Sequence, residues 1–321
     1  HKALEASVRE TGRTYFERNE ANPLEEDLII VDEASMLDIS LFYHLLCALK
    51  DGARLILVGD IDQLPPVGAG EPLKDLMSWG YVPIVRLKRI FRQEEGSGIV
   101  ENAALIRKGE MCVPDEAGEF RIIYAADDED AYRIVMDLCR ELNYGNEENK
   151  MLLQVLSPMY RGVCGVDHLN ESLQEMIHGE KVPDGMKFFP GDKVMQTRND
   201  YEKGIYNGDV GTVWTATPQK VFVRYFDKEV VYEGEERFDL RLAYAVTVHK
   251  SQGSEYETVI FILRPSQHNM LQRNLLYTGV TRARKNTILV TAPDALRRAL
   301  AIQHTGNRYS LFLPFLNHEA L

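Results

Sequence analysis

Apolar residues fall in short blocks separated by amphipathic stretches over most of the chain. Leu28–Val31 and residues 54–58 and 82–87 read as buried strands. Between the first two, Leu37, Leu41, Leu45, Ala48 and Leu49 recur at helical spacing. A second set follows, with helices expected near residues 99–108 and 129–142 and a strand at 152–156. Later come strands at 242–246, 259–263 and 287–291 and helices at 272–284 and 295–301. Strands alternating with helices in this way predict an α/β fold built on parallel sheets.

The texture changes between about residues 188 and 240. Short strands at Lys193–Gln196, 211–216, 221–225 and 230–232 are punctuated by Pro190-Gly191, Asn207-Gly208 and Thr217-Pro218. Spacing near ten residues predicts a small antiparallel barrel inserted into the second α/β domain. The expected division is therefore 1–93 for one α/β domain, 94–187 with 241–321 for the second, and 188–240 for the insertion. Residues 7–19, with Thr11-Gly12 between polar arms, read as a hairpin.

Composition narrows the classes. The chain has 321 residues, 45% hydrophobic and 27% charged, which excludes disorder and fibres. Its apolar runs are far too short to span a membrane. The net charge of −12 excludes a uniformly basic nucleic-acid binder but leaves room for a local basic channel. Cys47, Cys112, Cys139 and Cys164 lie far apart with no C-x-x-C pair, so a reducing cytoplasm is expected rather than a disulfide framework or zinc site.

Candidate chemistry sits at the strand ends. Leu28–Val31 runs into Asp32-Glu33-Ala34-Ser35, which places two carboxylates at the C-terminal edge of a parallel strand. One can hold Mg²⁺ through water and the next can orient or deprotonate an attacking water. Such a run is equally a solvated strand end when it stands alone. About one helix later, an apolar strand enters Gly59-Asp60-Ile61-Asp62-Gln63-Leu64-Pro65-Pro66-Val67-Gly68. Gln63 is suited to sensing a γ-phosphate, and the double proline stiffens its loop. Arginines in 88–93 and 276–284 offer forked donors for phosphoryl charge, though spacing alone does not choose among them. Residues 243–256 put small and hydroxyl residues at a strand-to-helix turn, where backbone N–H groups can meet phosphates.

Together these stretches resemble the motifs of superfamily 1 helicases, in order. Asp32-Glu33-Ala34-Ser35 resembles motif II, residues 59–68 motif III, Ile90-Phe91-Arg92-Gln93 motif IV, residues 246–256 motif V, and residues 277–284 motif VI. His249-Lys250-Ser251-Gln252-Gly253, Asn207-Gly208-Asp209-Val210-Gly211 and residues 157–162, followed by Leu169-Asn170, are most similar to the RecD-type DNA helicases, which relate to the exodeoxyribonuclease V alpha subunit. The resemblance implies two RecA-like P-loop NTPase domains, the first truncated, with an SH3-like barrel at 188–240 and a strand-separating pin at 7–19.

The resemblance also implies ATP and Mg²⁺ as cofactors, with Asp32 toward the metal and Glu33 as catalytic base. Gln63 would couple the γ-phosphate to DNA, and Arg92 and Arg282 would be arginine fingers. Gly253 and Glu255 would lie by the nucleotide. Thr247, His249, Arg198, Asn199 and Tyr201 would contact DNA. The implied activity is 5′-to-3′ translocation on single-stranded DNA with duplex unwinding, in recombination and repair. Its partners would be single strands, single/double-strand junctions and other repair proteins, with no membrane.

One departure stands out. The chain contains no G-x-x-G-x-G-K-T loop, which in this family holds the β- and γ-phosphates. His1-Lys2-Ala3-Leu4 looks like the remnant of an element that follows that loop. The expectation is a fragment that hydrolyses ATP feebly or not at all, with part of its first sheet exposed and a tendency to associate. Other readings stay open: a non-catalytic single-strand-binding module, a superfamily 1 RNA helicase, and a nuclease subunit.

Overall fold

The computed structural model describes residues 3–4, 6–8, 14–87, 96–183, 185–303 and 312–317. The chain divides near residue 89 into two units. In the first, β1 (Ala6–Val8) and β2 (Thr14–Phe16) pair antiparallel, with Ala6 opposite Phe16. This agrees with the hairpin read at 7–19, although residues 9–13 lie outside the described ones. Then β3 (Leu28–Val31) and β4 (Arg54–Leu57) form a parallel pair in the register Leu28↔Arg54 to Val31↔Leu57. The crossover is α1 (Ile39–Cys47), whose N-terminus Asp38 caps by accepting from Leu41 N–H at 2.8 Å.

Alternation along β3 and β4 decides which side of the pair is covered. Ile29, Val31 and Leu55 pack on a core of Leu4, Phe16, Leu24, Leu45 and Ala48. The opposite face is bare: Leu28, Ile30, Ile56 and Val58 are 49%, 61%, 46% and 42% exposed.

Residues 82–87, expected as a third strand, form none. Pro83 removes a ladder donor, and Val85 and Leu87 are each 87% exposed. After α2 (Pro72–Trp79), the other helix described here is α9 (Phe312–Leu316), in a stretch assigned from sequence to the second α/β domain. It belongs to the first unit, where Phe312 meets Phe42 edge-on at 5.8 Å.

The second unit holds a five-stranded, all-parallel sheet. Its strands are β5 (Phe120–Tyr124), β6 (Leu153–Ser157), β12 (Ala245–Thr247), β13 (Tyr256–Leu263) and β14 (Ala283–Thr291), in the order β12-β6-β13-β14-β5. α3 (Gly98–Lys108), α4 (Asp128–Glu141), α5 (Glu147–Leu152), α6 (Val166–His178), α7 (Arg273–Val280) and α8 (Pro293–Ala301) accompany it. Burial on both faces explains the unbroken apolar run of β13. α7 stops at Val280, short of the helix expected over 272–284. Thr281 Oγ1 donates back to Tyr277 O at 2.9 Å, and Ala283 already opens β14.

The insertion is a five-stranded antiparallel sheet in the order β10-β9-β8-β7-β11. It comprises β7 (Lys193–Gln196), β8 (Val210–Ala216), β9 (Lys220–Arg224), β10 (Glu229–Glu233) and β11 (Leu240–Leu242). Residues 242–246 were expected as one strand. They are instead the place where the chain leaves the small sheet at Leu242 and enters the parallel one at Ala245.

Two adjacent residues fasten this insertion. The fully buried Asp192 accepts from Tyr244 OH at 2.9 Å and Phe189 N–H at 2.7 Å, and lies 2.8 Å from His178 Nε2. The Lys193 ammonium donates to Lys150 O at 2.8 Å, Leu153 O at 3.1 Å and Gln154 Oε1 at 2.9 Å. Burial, and then Lys150, push the Lys193 pKa down to about 7.

Candidate nucleotide and nucleic-acid site

In the first unit the ladder continues past both strands. Val58 N–H donates to Val31 O and Ala34 N–H to Val58 O, each at 2.8 Å. Between them Glu33 takes φ +51° and ψ +37°, a left-handed conformation that a residue with a Cβ adopts only at a cost. Asp32 Oδ1 accepts the Glu33 N–H at 2.8 Å. Asp32 itself is exposed.

Gly59 lies directly under this turn. A Cβ there would stand 2.8 Å from Ser35 N and 3.2 Å from Ala34 N, so only glycine lets the two loops touch. The far end of the second loop is fixed too, because Ile39 N–H donates to Ala69 O at 2.8 Å and Gly68 packs on the Asp38 carboxylate. Gln63, Ser35, Pro65 and Lys74 line a pocket of about 270 Å³, open mouth included. The Ser35 hydroxyl is buried there without a hydrogen bond among the described residues. Asp32, Glu33 and Gln63 thus share one edge of β3 and β4.

In the second unit the structure brings together the two motif ends that sequence could only order. Arg282 is 2% exposed, and its guanidinium donates to Ser254 O at 3.2 Å and Thr278 O at 3.3 Å. Its own carbonyl accepts from Tyr256 N–H at 2.9 Å. Gly253, at φ +75°, precedes that serine in the same turn, and Glu255 Oε2 accepts from Arg284 Nε at 2.7 Å. Gly253, Glu255 and Arg282 are therefore neighbours. Arg92 lies outside the described residues.

Three of the residues read as DNA contacts, Thr247, Asn199 and Tyr201, are linked through Lys250 and Asn207. Thr247 is buried at the end of β12, where its Oγ1 accepts from Lys250 N–H at 3.3 Å. Burial holds the His249 pKa below its ordinary value. Lys250 Nζ donates to Asn207 Oδ1, Asn207 N–H to Asn199 Oδ1 at 2.9 Å, and Asn199 Nδ2 to the Tyr201 hydroxyl at 3.2 Å. Tyr201 meets Tyr206 edge-on at 6.1 Å and is 42% exposed. Arg198 is an exposed cation 3.5 Å from Asp239.

Lys250, Asn207, Arg241 and Tyr160 carry no individual assignment in the sequence. Lys250 adjoins His249 and could have been found. The Arg241 guanidinium sits 5.8 Å over the Tyr160 ring, a pairing of residues 81 positions apart that no local pattern announces. Among the described residues no group of three His, Cys, Asp or Glu side chains is arranged to hold a metal ion, and no helix is long and apolar enough to cross a membrane.

Comparison with known proteins shows what the chain resembles. Residues 3–121 match an AAA domain, 169–225 an ATP-dependent RecD-like DNA helicase SH3 domain, and 242–290 a UvrD-like helicase C-terminal domain. The ATP-dependent RecD2 DNA helicase of Deinococcus radiodurans is 37% identical over 300 residues, covering 92% of this chain and 41% of that protein. The RecBCD enzyme subunit RecD of Mycolicibacterium smegmatis is 33% identical over 315 residues, covering 92% and 56%. The chain thus spans about half the length of the relatives it matches. Among solved structures, Bacteroides Pif1 helicase in complex with ADP-AlF3 and ssDNA shares the fold at TM-score 0.54 and 20% identity, over 91% of this chain and 77% of that one. Candida albicans Pif1 helicase does so at TM-score 0.51 and 18% identity, over 87% and 74%. With three domain matches in order and RecD relatives aligned along nearly its whole length, the chain is similar throughout to the RecD-like helicases.

Proposed function

We propose that the chain is the motor portion of an ATP-dependent DNA helicase that moves 5′-to-3′ on single strands and unwinds duplexes in recombination and repair. The observation that carries this reading is the strained Glu33 turn packed on Gly59, with Gln63 in the adjoining loop. Backbone strain held by its surroundings marks a position whose geometry serves a function. Glu33 acts as the base that takes a proton from the attacking water, and Gln63 reports the γ-phosphate to the strand-binding surface. Arg282 and Arg92 neutralise phosphoryl charge, and Gly253 and Glu255 border the nucleotide.

Asp32 fits Mg²⁺. It is a single exposed carboxylate with one oxygen engaged by its neighbour's N–H, and Mg²⁺ usually takes one or two carboxylates together with phosphate oxygens. When bound, the ion offsets charge on the transferring phosphate. Thr247, His249, Arg198, Asn199 and Tyr201 hold the strand through its backbone and by stacking, which needs no base readout. Junctions and other repair proteins are the expected partners, in the cytoplasm and away from membranes.

The test is ATP hydrolysis with and without single-stranded DNA, on this chain and on a longer version that supplies a glycine-rich phosphate loop. The expected result is DNA-stimulated hydrolysis by the long version, reduced at least about a hundredfold by Glu33→Gln. Lacking the lysine and the N–H nest of that loop, the present chain alone should turn over feebly. A long version that binds DNA but never hydrolyses ATP would replace the motor reading with that of a strand-binding module.

A further inference from the structure

On a chain of net charge −12, four cations of the second unit, Lys250, Arg241, Lys187 and Arg237, stand close enough to influence one another's charge. Burial, then Arg241, holds the Lys250 ammonium below its ordinary pKa. Burial, then Arg241 and Arg237, does the same to Lys187. Arg241 therefore stands within electrostatic reach of both lysines, and Lys187 reaches on to Arg237. Lys187 Nζ donates to Leu240 O at 2.7 Å, beside Arg241 in β11. The line leads from the motif V turn, where Lys250 meets Asn207, onto the small barrel.

At its far end is a cavity of about 630 Å³, open mouth included. Its wall is apolar, from Met186, Phe188, Ala216 and Val221, and Lys187 and Arg237 stand at its edge. Phe238, which also lines it, is 72% exposed. The acids near it are mostly engaged: Glu233 with Lys220 at 2.6 Å, Glu236 with Lys203, and Asp239 with Arg198 at 3.5 Å. Asp167 sits 3.7 Å from Arg241, and Glu235 remains exposed.

We propose that this barrel cavity is a second seat for single-stranded nucleic acid, in which one base stacks on Phe238 while its flanking phosphates meet Lys187 and Arg237. It rests on the single-strand reading above and extends it, since the strand leaves the motif V turn past Lys250 and Arg241. An exposed ring beside paired cations is the combination that binds any base, because every base has a π face and every linkage a charge. The continuous cation line favours a strand over a peptide, which would need no such approach from motif V.

The test is anisotropy binding of oligothymidylates from about 6 to about 24 nucleotides to the intact chain. Phe238→Ala should weaken the long oligonucleotides about tenfold and leave the shortest unchanged. Lys187→Gln should lower the slope of log affinity against log salt by roughly 0.7, for the long ones only. Phe226, fully exposed elsewhere on the barrel, provides the control, and Phe226→Ala should alter nothing. Thermal unfolding checks that each variant is folded, as expected for changes at exposed positions.

The proposal is overturned if Phe238→Ala matches Phe226→Ala, or if its loss is equal at every length. It is also overturned if Phe238→Ala abolishes capture of an acidic peptide and spares the oligonucleotides, which would make the cavity a protein-docking site. Wild-type chain that binds no oligonucleotide would sink the single-strand reading itself, whereas normal short-strand binding without length dependence sinks only this extension.

Discussion

Glu33 shows how a single residue can be held against its own preference. Its left-handed backbone costs about 1–2 kcal/mol, and glycine would relieve that strain while losing somewhat more entropy on folding. Glu33→Gly should therefore raise stability by about 0.5–1 kcal/mol, read by denaturant titration, while removing the proposed base. A fall in stability would mean that the side chain, not the chemistry, is what the turn requires. Gly59 is the complement, since a Cβ there would stand only 2.8 Å from Ser35 N, just past the Asp32-Glu33 turn. Neither relation can be read from the chain, because the two residues belong to different strands. What sequence did make legible was the pair of acids after four apolar residues, and a Gln in a proline-braced loop.

At the scale of elements, legibility followed patterning. The apolar blocks of β3 and β13, and the alternation in the small barrel, were readable because each strand's burial is written in its own residues. Residues 82–87 misled because apolar content implies burial only when another strand is there to pair with. The break inside 242–246 was hidden because Ala243 and Tyr244 are as apolar as their flanks, yet carry the chain from one sheet to another. The fastening of the barrel was equally hidden, since Lys193 reads as a surface residue until its three acceptors are seen. Replacing it leaves those buried acceptors without their donor. Lys193→Met should cost about 3 kcal/mol in denaturant unfolding. Lys220→Met, which breaks only the exposed pair with Glu233, should cost less than about 1 kcal/mol. Equal costs would show that the buried ammonium contributes nothing to attachment.

For the molecule as a whole, the bare face of β3 and β4 agrees with the exposure expected of part of the first sheet, whereas a parallel pair is normally covered on both sides. Exposed apolar patches of this kind drive association. The chain should show a concentration-dependent mass above 36.6 kDa by light scattering, and Ile30→Lys with Ile56→Lys should return it toward that value. An unchanged mass in the double variant would place the association elsewhere. The fastening of the barrel has a different consequence, for anyone who wishes to remove it. Asp192 directly precedes the small sheet and Lys193 opens its first strand, yet their partners Tyr244, Lys150 and Gln154 belong to the parallel sheet and its flanks. A cut made where the barrel begins would strand a hydroxyl and several carbonyls inside the larger sheet. A cut made after Lys193 and closed before Ala243 would leave that joint whole, so the module's workable border lies inside its own first strand.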